Sequence, residues 1–468
     1  MQQEQIKDES SASCGGTRLK RKQTKIIFAI YALVVFFFVK QQSLLFNLEY
    51  RDFTKDHHYI PDIYPFSLED KHASDEKLLH TSLSARTEEL LSTIAGELKG
   101  SSSRFYMHDH PNITLVGEKE KLDHKRSFIW KAHQQELEND EQMLAALKKS
   151  PLRTDNPDEA DLFIPPIPIA RILGSKEGDF QTPMETLLEE ETFRKHQGHK
   201  HVLISTCFAL FKMEHKHRSN LGRWYDLIYN VTVVQSWDPS AVYNELHHTG
   251  GGADWGDFSI LKDRHEPLTR RSSSVGLGMK NEDLELTIAS TDKFYKSSNL
   301  IFYQSRTEPS YYNSTIHRHA PITNITLETF PKSSIGWGLE KDEWQRELKD
   351  SKFCLVIRGD SPHSHALWRS IRVGCIPVIS ADVLPIFAPM FKSTLNMTDY
   401  AIVLREQELV NNPGKTLLQL DRISEEDIEV KIKHLVFAQR VIFTDHPQSL
   451  FVPALLKEAK MATEVQLL

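Results

Sequence analysis

Between Ser351 and Ser380 the chain reads SKFCLVIRGDSPHSHALWRSIRVGCIPVIS, and this stretch gathers groups suited to an anion. Arg358 supplies a planar guanidinium, Gly359, Asp360, Ser361 and Ser364 make a short polar loop, and His365 and Arg369 follow. A guanidinium beside a helix N-terminus favours a diphosphate, as a nucleotide carries. Arg306 ends another run, Asn299 to Arg306, where a preformed guanidinium can compensate charge on a departing diphosphate. Elsewhere, Asp109 follows Phe105-Tyr106-Met107 and is either a base for a hydroxyl proton or the cap of the turn before Pro111. His201 enters the apolar run Val202-Leu203-Ile204, either toward a ligand or hydrogen-bonded in place. The triplet Arg358-Gly359-Asp360 also matches an integrin-binding sequence, a use that the end of a buried strand does not suit.

The flanking residues say how these groups are held. Phe353 to Ile357 and Cys375 to Ile379 are short apolar runs bounded by Gly and Pro, so both read as buried strands. Between them Asp360 or Ser361 can cap a helix, with Pro362 in its first turn, Leu367, Trp368 and Ile371 on one face, and Gly374 as the left-handed stop. A strand-loop-helix-strand unit requires parallel strands, and its loop 358–364 lies at the carboxyl end of the first, where open α/β sheets bind ligands.

This run, with Gly-Cys-Ile-Pro-Val-Ile and the following Asp382 and Leu384-Pro385, resembles the C-terminal signature of exostosin-type glycosyltransferases. The likeness extends over about residues 104–400: Phe105-Tyr106-Met107 resembles the family's opening strand, Thr154 to Pro165 its second signature, His199 to Ile204 a later strand, and Asn299 to Arg306 the first strand of its second half. Ala366 and Arg369 stand roughly where many members carry Arg and Glu, so the usual sugar-nucleotide contacts do not carry over to that helix; the 358–361 loop and Arg369 are the substitutes. The resemblance implies a GT-B type α/β architecture, two Rossmann-like domains facing a cleft. An N-terminal domain (104–298) would take the acceptor, with His201 as a possible contact, and a C-terminal domain (299–468) the nucleotide sugar. It implies inverting sugar transfer with no metal and no cofactor beyond the nucleotide-sugar co-substrate. The other reading is a carbohydrate-binding or partner subunit that kept the fold and lost the chemistry, alone or in a homo- or hetero-oligomer.

The chain has 468 residues, 40% hydrophobic and 26% charged, which is globular composition for more than one domain. A net charge of -7 argues against holding nucleic acid through a basic field. A basic tail (1–25) precedes the apolar run Ile26 to Val39, extended to 48, which reads as a signal-anchor with a cleaved signal peptide as the alternative; a stem (49–103) follows. Positive charge before the run predicts a single-pass type II membrane protein with its bulk in the lumen, and the short anchor suits a thinner membrane early in the secretory route, where glycans are assembled; with the resemblance this implies the Golgi membrane. Five Asn-x-Ser/Thr sites, at Asn112, Asn230, Asn313, Asn324 and Asn396, agree with a lumenal glycoprotein. Four cysteines are no disulfide scaffold; Cys354 and Cys375 are expected as two buried thiols, with a bridge between neighbouring strands as the alternative. The acidic cluster Asp155, Asp158, Glu159 and Asp161 suits turns rather than a metal. Residues 245–280 read as a loop over an acceptor groove or a disordered insertion, Leu284 to Ile288 as a strand closing the first domain, and 290–298 as a linker.

Overall fold

A computed structural model describes residues 73–114 (save 102), 140–167, 181–205, 231–235, 284–303, 330–357 (save 331, 337 and 338), 365–380 and 391–465 (save 392, 406, 407, 410 and 411). The tail, the anchor run, the stem up to residue 72, the 245–280 stretch, Asn230, Asn313 and Asn324 lie outside these residues. Among the described residues no helix is long and apolar enough to cross a membrane.

In chain order the elements are α1 (Ala73–Lys99), β1 (Phe105–Met107), α2 (Pro111–Thr114), β2 (Arg153–Thr154), β3 (Leu162–Ile164), α3 (Gln181–Glu189), α4 (Glu191–His196), β4 (Val202–Ser205) and β5 (Thr232–Gln235). The second half follows with α5 (Thr291–Lys296), β6 (Asn299–Tyr303), β7 (Ser334–Ile335), α6 (Lys341–Lys349), β8 (Ser351–Ile357), α7 (His365–Arg372), β9 (Ile376–Ser380), β10 (Ile402–Val403), α8 (Glu425–Ile442) and α9 (Phe451–Val465). Every strand pairing is parallel. The first sheet runs β2-β1-β3, and a parallel bridge from Phe163 to His201 joins it to the pair β4-β5. The second runs β10-β9-β8-β6-β7. Numbered within its own half, each therefore has the order 2-1-3-4-5, a doubly wound arrangement whose direction of growth reverses between the first and third strands.

Period-two alternation assigns the faces. Phe105, Met107, Leu162, Ile164, Val202 and Ile204 point into the main core, which also takes Ile301, Tyr303, Phe353, Leu355, Ile376 and Val378 of the second sheet. The opposite face of the second sheet buries Phe302 and Cys354 against Trp344 and Leu348 of α6. Within the stretch expected as a stem, α1 buries Leu91, Ala95 and Leu98, a stripe at helical spacing, and its Ser84 Oγ donates to Glu429 Oε1 of α8 at 2.8 Å. The last helix, α9, packs against β5, and its Lys460 Nζ lies 3.4 Å from Asp161 Oδ1.

Three expectations change. Cys354 and Cys375 form a disulfide, not two free thiols, with Cα atoms 5.9 Å apart. The cause is register: Cys354 pairs with Pro377, so Cys375, two residues earlier, lies diagonally on the same face within bonding reach. Leu284 to Ile288 is not a strand. Its backbone is satisfied by other groups: Thr287 N–H donates to Arg372 O (2.9 Å), Arg372 Nε donates to Leu284 O (2.5 Å), and Gln439 accepts from Ala289 N–H (2.9 Å) and donates to Thr287 O (2.8 Å). The stretch expected as a linker winds into α5, capped by Ser290 Oγ, which accepts from Lys293 N–H.

The Arg372 side chain is 2% exposed and makes a two-pronged pair with Asp445 at 3.2 and 2.6 Å. Replacing Arg372 by Met removes the two-pronged cation from Asp445 and the Nε donor from the Leu284 carbonyl, and should cost about 3 kcal/mol in urea unfolding. Adding Asp445→Leu should recover part of that loss, since the carboxylate that has lost this cation is then removed.

Candidate functional site

In a doubly wound sheet the crevice opens at the carboxyl ends of the first and third strands, where the order reverses. In the second sheet these are β6, ending at Tyr303, and β8, ending at Ile357, which pair side by side. Gly374, at φ +65, ends α7 as expected; a Cβ there would lie 2.7 Å from Ala289 Cα, so the left-handed turn and the close approach both demand glycine. The residues assigned from sequence to this crevice are mostly not described: Arg306, Arg358, Gly359, Asp360, Ser361 and Ser364 lie outside, and only the backbone of His365 is placed, in the first turn of α7. Arg369 is half-buried with its guanidinium 5.3 Å from the Trp344 ring centroid, a stacking contact between α7 and α6. Ala366 packs against the core.

In the first sheet the crevice lies between the ends of β1 and β3. Asp109 is exposed there, the second residue after β1. The turn into α2 is closed by His110, whose carbonyl accepts from Ile113 N–H (2.9 Å) and whose Nδ1 accepts from Asn112 N–H (3.2 Å). Asn112 and Asn396 are the two described glycosylation sequons, both exposed. Asn112 Nδ2 donates to Thr186 Oγ1 of α3 (3.2 Å), and Asn396 Oδ1 accepts from Thr398 Oγ1 (3.0 Å).

Behind Asp109 the sheet face turned away from the main core carries a layer of rings. Tyr106 and His108 alternate onto it from β1, Phe163 from β3 and His201 from the entry to β4, and Phe193 and His196 cover it from α4. His201 stacks on Phe163 at 5.0 Å and on His108 at 5.5 Å, and it is wholly buried rather than set on an open surface. Among the described residues neither ring nitrogen of His108 or His201 has a hydrogen-bond partner. Burial holds both imidazoles neutral: it pushes His108 down to about 4, against a weaker opposing pull from Asp109, and His201 well below the ordinary range. Burial and then the carboxylates of Asp109 and Glu190 raise the Tyr106 phenol. Sequence reasoning missed His108 and Glu190. The one signal available was the His-Asp-His run after β1, where His108 falls on the buried parity.

Among the described residues no group of three His, Cys, Asp or Glu is placed to hold a metal. Asp158 pairs with Lys195 (3.1 Å), and Glu159 with Arg104 (3.0 Å), so these carboxylates tie turns to neighbouring elements.

Residues 277–420 match the family model of the Exostosin GT47 domain. Over 78 residues the chain is 35% identical to the Exostosin-1 homolog of Caenorhabditis elegans, covering 16% of this chain and 19% of that protein. The chain thus matches about a fifth of the length of this curated relative. Both findings agree with the exostosin-type resemblance drawn from the strands and helix of the second sheet.

The histidine layer makes acid stability a direct readout. An unfolded His108 binds its proton near the ordinary histidine value of 6.5, whereas the folded one refuses it until about 4. The stability is therefore whole above pH 6.5 and is lost as the pH falls toward 4, by about 3 kcal/mol from this residue alone. His201 acts in the same direction. Thermal melts at pH 7.5, 6.0 and 5.0 should show a falling Tm that the double variant His108→Phe, His201→Phe flattens.

Proposed function

We propose that the chain is a glycosyltransferase that moves a sugar from a nucleotide sugar to a hydroxyl of a glycan or glycoprotein acceptor, with inversion at the sugar. The observation that carries this reading lies in the stretch matching the Exostosin GT47 domain, where the ends of β6 and β8 stand side by side at the reversal of strand order. The segments bearing Arg306 and Arg358 leave from those two ends. In this reading the donor diphosphate sits there, met by Arg306, Arg358 and the Gly359 to His365 segment leading into α7, and the guanidinium groups compensate the charge that develops on the leaving nucleotide. No metal is assigned a part. The acceptor lies against the first sheet, whose like strand order provides a second crevice beside Asp109. The two-domain GT-B arrangement, with the crevices facing across a cleft, belongs to the same proposal, as do the anchor at 26–48, the lumenal orientation in the Golgi and the use of the five sequons.

A second reading is favoured by one observation: Ala366 and Arg369, where exostosin-type proteins often carry Arg and Glu, are engaged in packing and on the Trp344 ring. A carbohydrate-binding subunit without transfer activity would tolerate this. Release of nucleoside diphosphate from nucleotide sugars by the purified chain separates the two.

Arg358→Ala should weaken binding of UDP or GDP by roughly ten- to a hundredfold in calorimetric titration, the usual cost of about 1.5–3 kcal/mol for a charge-assisted contact. Arg358→Lys should restore only part of it, because the charge returns without the bidentate geometry. Unchanged affinity in the folded Arg358→Ala protein sinks the donor-site assignment.

A further inference from the structure

Cys354 lies in the middle of β8 and Cys375 between Gly374 and the first residue of β9, and their bridge closes a loop with a sequence separation of 21. That loop holds the 358–364 segment and the whole of α7. A helix of eight residues is marginal by itself, so α7 depends on what ties its ends. Its last turn runs straight into the bridge: Val373 N–H donates to Arg369 O (3.1 Å), Gly374 N–H to Ile371 O (3.1 Å) and Cys375 N–H to Ser370 O (3.0 Å). The residue that completes this series is thereby bonded to the centre of β8. Both cysteines are 0% exposed, packed under Trp344 and Leu348 of α6 with Leu284, Phe302 and Val373 around them.

A thiol or reductant must reach one of the sulfurs to make or break such a bond, and α6 bars the way once it is docked. We infer that the Cys354–Cys375 bridge is a lock set during folding rather than a reversible switch: it closes before α6 covers it, and it then holds α7 beside the crevice of the second sheet in the form that binds nucleotide. The nucleotide clause rests on the glycosyltransferase reading above; the rest does not. In closing, the two thiols lose two protons and two electrons. A disulfide of an oxidoreductase or of glutathione takes them up and leaves as two thiols. A chain folded under reducing conditions would have the same strands and a loose α7, so the crevice is completed only where disulfides form.

The test uses the full-length chain in detergent, with thiol labelling, hydrogen exchange and calorimetric titration. In native buffer with excess phosphine reductant, a maleimide should leave Cys354 and Cys375 unlabelled in peptide maps, and should label both once urea is added. Cys354→Ala/Cys375→Ala removes the bond, and Cys354→Val/Cys375→Ala removes it while restoring apolar volume. In both variants the amides of α7 should exchange about tenfold faster than in wild type while those of α9 keep their rates. The Tm should fall by about 5–10 °C, and UDP or GDP should bind about tenfold more weakly. Labelling of the two cysteines in the folded wild type overturns the inference, because the bridge is then a reversible switch. So does wild-type exchange of α7 in the Cys354→Val/Cys375→Ala chain, which makes the sulfurs filling and not a tie. Exchange that rises alike in α7 and α9, or failure of both variants to fold, overturns it as well, since the bridge then holds the whole fold. A variant with a loose α7 that binds nucleotide as wild type does also overturns it. If wild type binds neither UDP nor GDP, the donor-site reading falls, and labelling and exchange still decide the lock.

Discussion

The connection from the first sheet to the second depends on a few buried polar groups that substitute for a missing strand. Between Leu284 and Ala289 the backbone packs against α7 and α8 without a sheet ladder, and buried N–H and C=O groups left unpaired would each cost on the order of 1–3 kcal/mol. Gln439 alone closes two of them, accepting from Ala289 N–H and donating to Thr287 O, and it also donates to Ile371 O of α7. Arg372 closes a third at Leu284 O and is itself neutralised by Asp445, with its guanidinium 5.1 Å from the Phe443 ring centroid. Because Ile371 and Arg372 end α7 and Gly374 follows, the same contacts that hold the crossing segment also fix how α7 delivers the chain into β9.

From that fixed point the second sheet follows. β9 starts beside the Cys354–Cys375 bridge and pairs along its own length with Phe353 to Ile357 of β8, while β8 also pairs with β6. A parallel sheet covered on both faces has near-continuous apolar strands, and β8 and β9 are buried at almost every position. Polar chemistry is thereby driven to the strand ends. The repetition of the 2-1-3-4-5 order in both halves gives the chain two such ends.

The first sheet handles its polar residues differently. Its outer face holds two neutral imidazoles among Phe163, Phe193, His196 and Tyr106, so the layer packs as aromatic surface at neutral pH and resists protonation. The same burial that removes His201 from any open surface leaves His108 at the rim, one residue from Asp109 and in reach of Glu190. Packing and polar chemistry meet at that rim.

The sequence by itself determined the elements whose information is local. The apolar runs of β8 and β9, the helix face of Leu367, Trp368 and Ile371, the glycine stop at 374 and the opening strand at 105–107 all stand where spacing and caps put them, because each depends on neighbours within a few residues. The likeness to exostosin-type proteins was legible in the same runs. Tertiary structure alone decided what depends on register and strand order: the disulfide in place of two thiols, the unladdered 284–289 segment held by Gln439 and Arg372, the core stripe of α1, and the meeting of Glu190 with His108. These pairs are distant in the chain, and no local period records which strand will lie beside which. A histidine or a glutamate reads the same in sequence whether it is solvated or buried against its partner, and only the packed sheet tells them apart.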